Sequence, residues 1–189
     1  HRNVVFNLTR MPQVNEHTFH LVPEGVAFFM ASTLNSEVEG SAGITDGQGR
    51  PVVTFMDIGR EVFGNLRDVA IFSLPSLSEG PYGEPMPDMA VAMSVNDAAR
   101  SKAIWELMLG IAKGASGSGD TSPGRQKVGG VRVDRYDVQG VSVYLYAAGD
   151  RIVISPSIRA IEAAVGAAKG SSVAGDPAFA SLVAKASND

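Results

Sequence analysis

Residues 131–155, VRVDRYDVQGVSVYLYAAGDRIVIS, decide the fold. Val131–Val138 and Val141–Ala147 flank Gln139-Gly140, and Gly149-Asp150 separates the second run from Arg151–Ser155. Two-residue turns of this composition twist in the same sense as the strands they join. The stretch therefore predicts three consecutive antiparallel strands. In the middle run Val141, Val143 and Leu145 share one face, which leaves Tyr144 and Tyr146 on the other.

Upstream, Met89, Val91, Met93 and Val95 alternate with Ala90, Ala92 and Ser94, a strand with one large and one small face. Asn96 or Asp97 caps the following helix, whose stripe is Ile104, Leu107, Met108 and Ile111 and which Gly114 ends. Trp105 lies beside that stripe, at the core edge, with its indole N–H expected to find a partner. Val69–Leu74 is a further strand, and Pro75–Pro87 is a loop. Val26–Leu34 is apolar on both faces, as in a central strand. Between them, after a polar loop, Val52, Phe55, Met56, Val62, Phe63 and Leu66 follow helical spacing, which predicts a helix over 51–65. Residues 1–22, interrupted by Pro12, form an extended N-terminal arm.

Downstream, Gly114–Gly130 has the composition of a flexible internal loop. Ser155 with Pro156 starts a helix with the stripe Ile158, Ile161, Val165 and Ala168. Asp176-Pro177 starts another, with Phe179, Leu182, Val183 and Ala186 inward. The order β-α-β-β-α-β is the split βαβ of ferredoxin-like α+β folds, here extended by an antiparallel meander and two C-terminal helices. At 189 residues the chain fits one α+β domain, and its start at His1 reads as a fragment of a longer chain.

Composition narrows the function. Sixteen Lys and Arg against twenty Asp and Glu give a net charge of −4 without basic blocks, which argues against a nucleic-acid partner. The chain contains no cysteine, so disulfides and thiolate chemistry are excluded. No apolar run approaches the roughly 20 residues of a transmembrane segment. Gly114–Gly119 follows a helix and lacks the context of a nucleophile elbow, and no Gly-Lys-Ser/Thr phosphate loop occurs. Thr45–Gly49 has too few acidic side chains for a calcium loop. No cofactor is implied. The candidates for a metal are His17 and His20, with Glu16 nearby, but in an extended arm positions i and i+3 point to opposite faces. Asp134/Asp137 and Asp57/Glu61 are the carboxylate pairs, each read as a solvated face.

Asn65–Ile71, Met89–Asp97, Tyr144–Ser155 and Asp176–Phe179 resemble bacterial domains of unknown function found in exported or membrane-anchored proteins of cyanobacterial and planctomycete type. The resemblance implies an extracytoplasmic location and carries no catalytic residue. With the missing motifs, it leads to a non-catalytic extracytoplasmic binding or scaffolding domain; the alternative is a hydrolase using arm histidines and loop carboxylates. If Met89, Val91 and Met93 face the covering helices, the opposite face gathers Ala90, Ala92, Ser94, Tyr144, Tyr146, Phe29 and Phe72. Such a surface needs a cover. The arm and C-terminal helices are one candidate. A protein partner or neighbouring domain anchored on Tyr144 and Tyr146 is the other.

Overall fold

The computed structural model describes residues 16–33, 62, 64–80, 83–118 and 120–186. In chain order these form α1 (Glu16–Phe19), β1 (Phe28–Thr33), β2 (Leu66–Glu79), β3 (Pro85–Val95), α2 (Ala98–Lys113), β4 (Gly124–Val128), β5 (Val131–Val138), β6 (Val141–Ala148), β7 (Arg151–Ser155), α3 (Ile158–Ala168) and α4 (Pro177–Ala186). The strands make one seven-stranded antiparallel sheet of order β1-β2-β3-β7-β6-β5-β4. The fold is α+β.

The meander stands as its sequence predicts. Gln139-Gly140 and Gly149-Asp150 close it, and Gly129-Gly130, expected as loop, joins a further strand to it; the first residue of each turn lies in the left-handed region, at φ 50°, 59° and 56° in that order. The strand order, however, is not that of a split βαβ. There the two strands flanking a helix run parallel with a third between them, whereas here β1 and β2 are antiparallel neighbours, with Thr33 opposite Asp68 and Phe29 opposite Phe72. Among the described residues β1 is thus an edge strand. Its large side chains Phe28 and Met30 are 57% and 60% exposed. Val62, Gly64 and Asn65 are helical, while Val52, Phe55, Met56 and Phe63 of the predicted helix lie outside the described residues, as do Thr45–Gly49, Asp57 and Glu61.

Other segments differ locally. Pro75–Glu79 and Pro85–Pro87, expected as loop, prolong β2 and β3 into a long hairpin, with a register shift between Ser73 and Leu77 that makes room for Pro75. The glycine-rich stretch after α2 kinks at Gly117, whose φ is 95°, and then forms β4, which pairs with β5 along its whole length. The arm holds the helical turn α1 rather than a strand. α3 begins two residues later than expected: Ser157 is its cap, accepting the Ala160 N–H, because the Ser155 hydroxyl is engaged by Met89 and Ser157.

One face of the sheet is covered by α2, the other by α3, α1 and Phe179 of α4. Leu182, Val183 and Ala186 have side chains outside the described set. Asp97 caps α2 by accepting the Arg100 N–H. The helix turns a different side inward from the predicted stripe: Ala98, Ser101, Trp105 and Leu109 face the sheet, while Leu107 and Ile111 are 48% and 53% exposed. Apolar residues occupy more than one side of this helix, and packing the large indole against the cluster that includes Val95, Tyr136 and Ile152 selects among them. Trp105 is thus partly buried at the core edge, as its place beside the stripe predicts, but contrary to expectation its buried N–H has no hydrogen-bond partner among the described residues.

Candidate functional site

The face opposite α2 carries two buried carboxylates, one toward each end of the β2–β3 hairpin. Asp68, in β2, accepts hydrogen bonds from Thr18 (2.7 Å), Thr33 (3.0 Å) and Ser94 (2.6 Å), with the Arg67 guanidinium at 3.6 Å. Asp88, in β3, accepts from Ser76, Ser78 and Ser157, each at 2.5 Å, with Arg159 at 3.7 Å. Burial works to raise the pKa of both. For Asp68 the hydroxyls of Ser94, Thr18 and Thr33 with Arg67, and for Asp88 those of Ser157, Ser76 and Ser78 with Arg159, outweigh it and hold the carboxyl below its usual value. Both groups are thereby fixed as anions. They clamp elements together: Asp68 joins α1, β1, β2 and β3, and Asp88 joins both strands of the hairpin to the cap of α3.

Sequence reasoning missed both, although a signal was present. Asp88 shares its parity with Ala90, Ala92 and Ser94, and Asp68 with Ala70 and Phe72, so each is a charge at an inward position of an alternating strand.

Beside Asp88 lies a cleft of about 280 Å³ where the end of β7 meets the start of α3. Met86 and Pro87 of β3, Ser142 and Tyr144 of β6, and Ile158 of α3 border it, with Glu79 of β2 at its rim. The opposite-face set is thus brought together as expected, but most of it is core. Phe72 and Tyr146 are fully buried. Phe29 packs edge-on against Phe19 and Phe179 at centroid distances of 6.4 and 5.7 Å, so the chain's own arm and C-terminal helices cover this face. Tyr144 alone of the four reaches the cleft, half-buried.

His17 lies on α1 and His20 in the turn that follows it, so their rings come together with centroids 5.9 Å apart, contrary to the extended-arm reading. Among the described residues no three His, Asp or Glu side chains gather as a metal site. His17 instead approaches the turn carboxylate Asp150 (Nε2–Oδ2 3.8 Å), which also pairs with Arg67. Asp134 and Asp137 sit on opposite faces of β5, the first buried near Lys102 and Arg132, the second exposed and bonded to Arg135 and Ser142. Among the described residues no helix is long and apolar enough to cross a membrane. Comparison with protein-family models, curated proteins and solved structures finds no match.

Proposed function

We propose that this is a non-catalytic binding or scaffolding domain on the extracytoplasmic side of a bacterial membrane, engaging a protein partner through the cleft beside Tyr144. The observation that carries the reading is the state of the cleft's chemistry. The carboxylate behind its wall, Asp88, is saturated by three hydroxyls, of which Ser78 and Ser157 belong to residues lining the cleft, and is held charged, a clamp rather than a proton carrier, while Met86, Pro87, Tyr144 and Ile158 supply an apolar lining beside polar main chain. The proposed location and membrane anchor rest on the resemblance read from the sequence alone. Two measurements test the reading in the full-length protein. Incorporation of p-benzoylphenylalanine at Tyr144 should give a light-dependent adduct in the envelope fraction that is absent when the same group replaces exposed Lys127. Because the 189 residues contain no cysteine, Lys127→Cys should react with a membrane-impermeant maleimide on intact cells. Labelling only after lysis would remove the extracytoplasmic location.

The proximity of His17 to Asp150 favours a second reading, a hydrolase built on an arm histidine and a loop carboxylate. Thr18, the hydroxyl next in sequence, is buried and donates to Asp68, so it does not serve that pair as a nucleophile. A robust ester, peptide or phosphoester hydrolysis abolished by His17→Ala would establish this reading over the first.

A further inference from the structure

The cleft is a gap in the sheet itself. β7 pairs with Val91–Ser94 of β3 on one side and with Tyr144–Ala148 of β6 on the other, and it ends at Ser155. β3 extends beyond that point to Pro85 and β6 to Val141. In continued register, residues 156–158 would stand between Met89, Asp88 and Pro87 of β3 and Val143, Ser142 and Val141 of β6. At Pro156 the chain leaves the sheet instead to cap and begin α3. Where β7 intervenes, β3 and β6 are two strand spacings apart, about 9.5 Å. Past Ser155 the gap accordingly has the width of one extended chain.

Main-chain groups face this gap from both walls. The Val95 N–H donates to the Asp150 carbonyl, while the Asn96 N–H donates to Asn65 on the other side, so odd-numbered residues of β3 turn their N–H and C=O toward β7. The Ser155 hydroxyl donating to the Met89 carbonyl, at 2.6 Å, agrees. Pro85 and Pro87 share that parity, and proline is compatible with a strand where its nitrogen has no ladder bond to make. Beyond Met89 this wall presents carbonyls only. On β6, the two-residue turns close on the pairs Val138/Val141 and Ala148/Arg151. Such turns close on hydrogen-bonded pairs, so even-numbered residues face β7 and Ser142 presents both its N–H and its C=O to the gap.

We propose that the gap receives a short extended segment of a partner protein as an added strand continuing the line of β7. Its main chain bonds to Ser142 on one wall and donates to the Pro87 carbonyl on the other, and one apolar side chain enters among Met86, Tyr144 and Ile158. This rests on the binding reading above and names the partner's chemistry. A volume of about 280 Å³ stands at the lower edge of the roughly 300–1,000 Å³ usual for small-molecule sites, so the ladder groups decide the occupant. Groups set in ladder register on two walls are satisfied by a peptide backbone, the mode of strand addition.

The test selects peptides from a displayed random heptapeptide library on the full chain and measures the best of them by fluorescence anisotropy. Ser142→Pro removes the N–H facing the gap without touching the β5 ladder; Ser142→Ala keeps it and removes only the hydroxyl that bonds Asp137. Ser142→Pro should weaken binding about tenfold or more, and Ser142→Ala less than about twofold. If Ser142→Pro does not fold, single N-methylation along the peptide decides, with alternate positions expected to lose binding. Equal binding by all variants and all methylated peptides overturns the proposal, as does a library that yields no binder. Strong hydrogen-exchange protection of the Ser142 amide in the free protein also overturns it, since the chain itself or a second copy then fills the gap. Should these fail while the Tyr144 cross-link persists, the binding reading stands and only strand addition falls.

Discussion

Replacing Asp88 by alanine removes the acceptor of three hydroxyl hydrogen bonds that tie Ser76 and Ser78 of β2 and the α3 cap Ser157 to β3. Hydrogen bonds to a charged group contribute about 1.5–3 kcal/mol each. Their plain sum overshoots, because the freed hydroxyls turn to one another or to water entering from the cleft. The cost of breaking one side of a buried charged cluster, about 3–5 kcal/mol, is the better guide. With a urea m-value of about 2 kcal/mol/M for a domain of this size, the unfolding midpoint falls by about 2 M. Fluorescence of Trp105, the single tryptophan, reports the transition. pH supplies the second arm. Because the Asp88 carboxyl is held below its unfolded value of about 3.9, the stability it contributes is fully present above that value and is lost as pH falls through the lower folded one. Asp88→Asn, with nothing to titrate, should therefore show a shallower loss of midpoint below about pH 4 than the unaltered protein. A midpoint shift under about 0.5 M for Asp88→Ala, or an acid profile unchanged in Asp88→Asn, would refute the clamp.

Two further outcomes follow from the packing. Leu107→Ser and Ile111→Ser should each change stability by no more than about 0.5 kcal/mol in urea titration, because both side chains are half-exposed on the outer side of α2; losses above about 2 kcal/mol would show that the predicted stripe is the buried one after all. Gln139→Asn places a residue tolerant of positive φ at the first turn position, now at φ 50°, and should stabilise by about 0.5 kcal/mol, a rise in Tm of about 1–2 °C by calorimetry.

Strand alternation and turn chemistry are local properties, and the sequence by itself determined what depends on them. Period-two spacing with Gln139-Gly140 and Gly149-Asp150 fixed the β5–β7 meander, and the parity of Val91–Val95 and Tyr144–Tyr146 correctly assigned their side chains to the two faces, although Met89, expected under the helices, is exposed. Asp176-Pro177 likewise marked the start of α4, where Asp176 accepts the Ala178 N–H. Strand order lies beyond such signals, because pairing joins residues distant in the chain: an edge strand such as β1 and a central one both read as apolar runs, and only the pairing of Phe28–Thr33 with Asp68–Ser73 excluded the ferredoxin-like order. Tertiary packing also chose which side of α2 turns inward, since apolar residues on several sides left its rotation undetermined until Trp105 met the core cluster of the sheet. The cleft belongs wholly to this second category. It exists because β7 is shorter than the strands on either side of it, and strand lengths become comparable only once β3, β7 and β6 lie side by side.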